Sequence, residues 1–533
     1  MISLESSIAE TLRGLSYLLP FLLLAAGALL ALVVDWFLTT RHSHRVGWLA
    51  ILSCLASLVA LVPLWHHARS SVLGLGWDVL TFDPFALFFC LLFIIATFVV
   101  ATMSRSSAEL AGRRMGEYYA LLLTATLAAC LLAASQNLLL LYLSFETLSL
   151  SSYVLAGYAK DRRAGIESAL KYVLFGAVAS GIMLYGLSLV YGQIGSLDLR
   201  ETVRLASSSP MSFLLIVVLL VAGFGFKMSL VPFHFWAPDV YQGAPTPITA
   251  YLSVVSKAAG FAIFMRLIAP ITGVSLWGAH ASEMPDRATV YGLLSLLWIV
   301  ATLTMTLGNF VALRQYDFKR LLAYSSIAHA GYMAAALVAH NAAALQAILF
   351  YFVVYAVANL GLFFALQVVH ASKATFDVSG FRGLVYESPV FAACVAVLLW
   401  SLIGLPPSAG FMGKFFLFVA LVKRGLSSDV APFYYALVLL ALGNSVVSLY
   451  YYIAVIKQMA FYRPSEEAPP CRPTFFARGA MVVAAAVILA VQLYWQPVTD
   501  LASRAVGNAL DSSVDARGIA TSAAIASPRG GVH

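Results

Sequence analysis

Residues 223–247 read GFGFKMSLVPFHFWAPDVYQGAPTP and close an apolar run with a lysine, Lys227, followed by a proline, Pro232. An ammonium near the middle of a bilayer costs about 2.5–3.5 kcal/mol on insertion scales, so Lys227 requires a partner, water or the loss of its proton. Pro232 removes a helix hydrogen bond and frees backbone polar groups that lipid cannot satisfy. A snorkelling lysine beside a packing kink would account for either feature alone. Together they ask for a wet cavity inside protein.

The chain around this stretch is 61% hydrophobic and 11% charged, whereas about a quarter of the residues of a soluble domain are charged. It reads as an all-α polytopic membrane protein. Spans of about 17–25 residues fit the bilayer, and on that length about fourteen follow one another. They lie near 14–38, 46–65, 82–103, 117–134, 136–158, 166–193, 211–236, 246–270, 289–311, 320–339, 343–370, 388–421, 431–461 and 477–495. Glu5 and Glu10 stand where a cleavable signal would be basic, so the first helix is expected to stay. Between the second and third spans, GLGWDVLTFDP (74–84) suggests a short hairpin.

The basic residues cluster in the connections after the odd-numbered spans, among them Arg41, Arg45, Arg105, Arg113, Arg162, Arg314, Lys319 and Arg320. That face is expected to be cytoplasmic, with both termini outside. The positive charge is then a topology signal and no argument for nucleic acid. Lys171, Lys227, Lys257, Arg266 and Lys414 fall inside spans, and Arg266 is close enough to a span end to snorkel. Glu146 is the one acid read near the middle of a span, while Asp35 is taken as interfacial. The cysteines are scattered singly, without the spacing of an iron–sulfur or haem site. The pairs His42/His44 and His66/His67 read as ordinary interfacial residues.

The twelfth span repeats the device of the seventh. LIGLPPSAGFMGKF (402–415) interrupts an apolar helix at Gly404, Pro406 and Pro407 and carries Lys414 beside the break. Two interrupted, lysine-bearing helices five spans apart predict two inverted five-helix repeats, helices 4–8 and 9–13, with helices 7 and 12 discontinuous. The chain thus divides into a three-helix module (1–115), two repeats (116–270 and 271–462), a last helix (463–500) and a tail (501–533) expected to be disordered. Two histidines join the candidates. His234 lies just past Pro232, where an imidazole could carry a proton between lysine and the cytoplasmic side. His329 lies in the tenth span among Ser325, Ser326 and Tyr332.

At ESALKY (167–172), GFGFKMSLVPFHFWAPDVYQGAPTPITA (223–250), FKRLLAYSSIAHAGY (318–332) and LIGLPPSAGFMGKF the chain resembles the antiporter-like membrane subunits of respiratory complex I. The resemblance covers about residues 115–462, with the four motifs in the same order. It implies that Glu146, Lys171, Lys227, Lys257 and Lys414 correspond to the family's proton-transfer residues on helices 5, 6, 7, 8 and 12. It also implies that this chain binds no cofactor, with NADH, FMN, iron–sulfur clusters and quinone held by partner subunits. The partners implied are a neighbouring antiporter-like subunit M, the small subunits K, J and A, and the lipid bilayer. The alternative is an Mrp-type or stand-alone cation/proton antiporter subunit.

Elementary electrostatics agrees with a transport role. At an effective dielectric near 20, a carboxylate about 4 Å from an ammonium is worth roughly 4 kcal/mol. Moving or neutralising Glu146 would therefore switch nearby lysines between holding and releasing a proton. The expected order is Glu146 acting on Lys171 and Lys227, Lys257 passing the proton across the repeat interface, and Lys414 releasing it outward.

Overall fold

The computed structural model describes residues 17–67, 73–74, 79–274, 276, 287–464 and 469–507. Among the described residues the fold is helical apart from one short ladder and three isolated bridges. Three long helices come first, α1 (Leu19–Phe37), α2 (Gly47–His67) and α3 (Pro84–Arg105), followed by α4 (Gly116–Ala134), α5 (Leu138–Ala156) and α6 (Arg163–Ile194). The central stretch yields α7 (Pro210–Met228), α8 (Trp236–Gly243) and α9 (Thr246–Tyr251), then a π-helical turn (Leu252–Ser256) leading into α10 (Lys257–Ile271). Next come α11 (Arg287–Ala312), α12 (Phe318–Leu337), α13 (Ala342–Lys373), α14 (Leu384–Glu387), α15 (Pro389–Ile403) and α16 (Ala409–Leu426). The last are α17 (Ala431–Phe461), α18 (Phe475–Leu493) and α19 (Gln496–Val506).

Twelve helical stretches among the described residues are long and apolar enough to cross a membrane. The difference from about fourteen has two local causes. Helix α12 carries Lys319, Arg320, two serines and His329 and is too polar to qualify, and the span read at 388–421 falls into two shorter helices, α15 and α16. Helix starts are written in the sequence. Asp83, Asn137, Asp317 and Asn341 cap α3, α5, α12 and α13 with side-chain oxygens that accept from the first-turn amides. Large apolar side chains point outward along α1, α2, α6, α7 and α17, as at Leu29, Val59, Val178, Met211 and Leu439. Such a surface suits lipid and partner helices rather than water. The span from Thr246 to Ile271 has no exposed residue and runs through the middle of the bundle.

The ladder pairs Leu73 with Phe82 and Gly74 with Thr81 in antiparallel register, at the hairpin expected there; its turn lies outside the described residues. The expectation for the extreme N-terminus also lies outside them. At the other end the tail does not begin at 501, because α19 runs to Val506 and buries Ala502, Ala505 and Val506. Its remainder is outside the described residues. Leu501 closes one end of an apolar groove of about 640 Å³ between α3, α13 and α18, which holds none of the candidate site residues.

Two charged residues differ from their reading as interfacial groups. Arg266 is fully buried, its Nη2 2.5 Å from Asp83 Oδ1 and its Nε donating to the Ala133 carbonyl at 2.8 Å. It cannot snorkel because α10 is enclosed on all sides. Asp35 is buried at the end of α1, where it accepts from Ser43 and pairs with Arg114 at 3.7 Å.

Candidate functional site

Helix α7 ends at Met228, four residues before Pro232, and α15 ends at Ile403, three before Pro406. The prolines expected to break these helices occupy the connecting segments instead. The stops are Ser229 and Gly404, both in the left-handed region at φ 59° and 83°. Polar backbone released at the first stop is satisfied inside the protein. Leu230 N–H closes back on the Gly225 carbonyl at 2.7 Å, Trp236 Nε1 donates to the Phe226 carbonyl at 2.9 Å, and Val231 N–H donates to Thr304 Oγ1 at 3.0 Å. At the second stop the Ile403 carbonyl accepts from Lys414 Nζ itself, at 2.8 Å.

Each break therefore sits beside a buried amine. Lys227, in the last turn of α7, has no exposed surface and donates to Ser149 Oγ at 2.8 Å, with its ammonium 5.1 Å from the centre of the Phe145 ring. Ser149 follows Glu146 by one turn of α5, so the half-buried Glu146 lies on the same side of the helix. Its Oε1 is buried without a hydrogen-bond partner. Lys414, also buried, donates to Ser445 Oγ at 3.0 Å and lies 4.9 Å from the Tyr332 ring centre.

Lys257 lies between them. It follows directly on the π-helical turn, whose extra residue shifts the side chains after it around the helix axis. Fully buried, it donates to Ser326 Oγ on α12 at 2.7 Å. One turn beyond Ser326, His329 contacts two tyrosine hydroxyls, with Nδ1 2.6 Å from Tyr351 and Nε2 3.1 Å from Tyr452, which also bonds Ser325. A further turn brings Tyr332, whose hydroxyl accepts from Asn309 at 3.0 Å. Asn309 in turn accepts from Tyr451 at 3.0 Å. Hydroxyls and amides thus occupy the space from Lys257 to Lys414.

Lys171 stands apart from this line. It is partly exposed and pairs with Asp239 and Glu167, each at 2.7 Å, rather than with Glu146. The reason is placement: its position two turns into α6 aims the side chain at the short helix α8, which carries Asp239. Asp239 also takes Arg320 Nη1 at 2.7 Å. Lys171, Asp239, Arg320, His234 and Tyr324, together with Phe175, Phe235 and Pro238, line a cavity of about 390 Å³ next to the break after α7.

Sequence reading missed a second group on the same face. Lys319 and Arg162, counted as loop cations, both bond Glu109, and Lys319 is fully buried. A helix-initial Asp-Phe-Lys-Arg run reads the same whether its lysine faces water or the helix packed beside it. Only the neighbouring chain decides.

The approach of α10 to Lys227 rests on Gly260. A Cβ there would lie 3.2 Å from Lys227 Cβ and 3.1 Å from Met228 Cγ. Gly260→Val is therefore expected to displace Lys227 from Ser149 and cost about 1–3 kcal/mol of overpacking, while Gly260→Ala needs a shift of only tenths of an ångström. Proton transport by membrane vesicles containing each variant checks the order, and equal activity of the two would contradict it.

The family model described as "NADH:quinone oxidoreductase/Mrp antiporter, TM" matches residues 135–439. A protein of Anaeromyxobacter sp. (strain Fw109-5) described as NADH-quinone oxidoreductase subunit N is 37% identical over 511 residues, 92% of this chain and 96% of its own length. A chain of respiratory complex I from Thermus thermophilus with bound aureothin superposes with a TM-score of 0.73 at 33% identity, over 92% of this chain and 100% of that chain. A chain of the Mrp complex from Dietzia sp. DQ12-45-1b, 19% identical, shares the fold with a TM-score of 0.77 over 94% of this chain and 98% of its own. With the match spanning both lysine-bearing breaks, the chain belongs to the NADH:quinone oxidoreductase/Mrp antiporter transmembrane family.

Proposed function

We propose that this chain is a proton-translocating membrane-arm subunit of an NADH:quinone oxidoreductase, of the subunit N type, moving protons in response to quinone reduction elsewhere in the complex. One observation carries the reading: three buried lysines on different helices, Lys227, Lys257 and Lys414, each hold a hydroxyl within 3.0 Å, and Ser326, His329 and Tyr332 follow one another on α12 from the contact of Lys257 to that of Lys414. A buried amine with a neutral partner is poised to change charge.

In this reading Glu146 biases Lys227 by its charge. Protons reach Lys227 from the basic face through the cavity of Lys171, Asp239 and His234. Lys257 hands them over Ser326 and His329 toward Lys414, which releases them outward. Water completes the gaps that side chains do not bridge. Helices α7–α8 and α15–α16 are each one interrupted span, which with α12 makes about fourteen spans. Residues 116–270 and 271–462 form the inverted repeats, behind the 1–115 module and ahead of the helix at 463–500. Both termini are periplasmic. The redox groups, NADH, FMN, iron–sulfur clusters and quinone, belong to partner subunits, and subunits M, K, J and A are the neighbours in the membrane.

Lys227→Ala tests the proposal. In assembled complex the ratio of protons pumped to NADH oxidised is expected to fall about tenfold. Normal pumping with normal assembly would leave the lysines as structural groups. The joint family description with Mrp antiporters favours one other reading, a cation/proton antiporter. Copurification with quinone reductase subunits and pumping that stops with a quinone-site inhibitor separate the two.

A further inference from the structure

The connection between α3 and α4 carries a carboxylate that the transport path does not use. Glu109 is almost completely buried and is the meeting point of three elements. Its Oε2 accepts from Thr246 N–H at 2.7 Å and Thr246 Oγ1 at 2.5 Å, at the start of the span that carries Lys257. Its Oε1 takes Lys319 Nζ at 3.3 Å, in the first turn of the helix that carries Ser326, and Arg162 at the start of α6. Lys319 also donates to the Ala244 carbonyl at 3.0 Å and lies 4.0 Å from the Phe376 ring centre. One acid thus ties down the first turns of the two helices whose side chains meet deeper in the bundle, at Lys257 and Ser326.

The geometry points to Glu109 as a positioning residue for proton transfer: by locking Thr246 and Lys319 together it sets the axial register of α9–α10 against α12, and with it the Lys257–Ser326 contact. This rests on the transport reading above. From Thr246 to Lys257 is eleven residues through the π-helical turn, and from Lys319 to Ser326 seven, about 10 Å along α12 at 1.5 Å per residue. Helices are stiff along their axes, so a slip at the anchored end is carried undiminished to the contact. A slip of one ångström along the line of the 2.7 Å bond would open it beyond hydrogen-bonding distance. The clasp is permanent at neutral pH. Burial raises the Glu109 carboxyl, but Lys319, the hydroxyl and amide of Thr246, and Arg162 together hold it at about 2. Its contribution is complete above the usual glutamate range and is lost only as the pH falls through about 2.

The test is a double-mutant cycle in the assembled complex, reading protons pumped per NADH oxidised. Glu109→Gln keeps the size and one acceptor for Thr246 while leaving Lys319 and Arg162 without their counter-charge. It is expected to lower the ratio about threefold, and Ser326→Ala by a similar factor. The double variant should be no worse than the more damaged single one, because both act through one contact. A general loss of stability would multiply the two effects, and multiplicative losses, or an unaffected Glu109→Gln, overturn the proposal. If Glu109→Gln does not assemble, Glu109→Asp, which keeps the charge on a shorter arm, goes through the same cycle with the same criteria. Lys257→Ala is the control. If it pumps normally, the transport reading itself fails; if it is impaired while Glu109→Gln is not, only the anchor fails.

Discussion

Gly404→Ala is expected to uncouple the assembled complex as thoroughly as removal of Lys414 itself. Gly404 stops α15 at φ 83°, a conformation that costs an L-residue roughly 1–2 kcal/mol. The larger effect is steric. A Cβ at this position would stand 2.7 Å from Lys414 Cδ and 3.3 Å from its Cε, inside the stem of the lysine. Lys414 is buried, and its ammonium is held by the Ile403 carbonyl and Ser445 together. Pushed aside, it loses both bonds and leaves the Ile403 carbonyl only the longer bond from Ser445 Oγ, at 3.4 Å. Pumping per NADH oxidised should fall about tenfold in Gly404→Ala and in Lys414→Met alike. The double variant should add little, since both remove one interaction. Near-normal coupling in Gly404→Ala would show that Lys414 does not need this position.

Arg266→Met is expected to be the most destabilising single change in the first half of the chain. The Arg266–Asp83 pair is fully enclosed and joins α10 to the N-cap of α3, whose Ala86 amide also bonds Asp83 at 2.8 Å. Deleting one partner of such a pair costs about 3–5 kcal/mol, because the remaining charge stays buried without its counter-charge. Asp83→Asn keeps the capping oxygen and removes the charge, so it should also destabilise. Combining it with Arg266→Met should recover part of the loss, since no buried charge then remains. Thermal unfolding of the purified complex, together with the amount assembled in the membrane, reads these differences. A double variant less stable than either single one would contradict the pairing argument.

These two sites show where sequence reasoning works and where it stops. Gly404 and Lys414 lie ten residues apart, and a glycine, two prolines and a lysine inside an apolar run already mark a broken helix with a charge to satisfy. The same logic marked Lys227 and the segment around Pro232. The stopping residue was not legible: Ser229 carries no obvious signal for the left-handed region, and Pro232 drew attention away from it. Arg266 shows the opposite failure. Its distance from the end of its own span suggested a side chain reaching for the interface, but snorkelling depends on what surrounds the helix, and α10 is surrounded by protein.

Lys171 and Lys319 exchanged places for the same reason. Lys171 was read as buried and meets partly exposed carboxylates, whereas Lys319 was read as a loop cation and is sealed against Glu109.

Composition and hydrophobic spacing by themselves determined that this protein is a bundle of membrane helices, that glycine and proline stand beside lysines in two of its apolar runs, and that Lys227, Lys257 and Lys414 lie deep. Each of these is a property of about twenty consecutive residues, the length over which a bilayer tests a chain. Which groups face one another was decided only by the tertiary structure. The hydroxyl held by Lys257 is 69 residues away and the carboxylate that binds Lys319 is 210 away. Contacts of that kind depend on helix rotation and register, which are set by side-chain packing between helices and by anchors such as Glu109 at their ends.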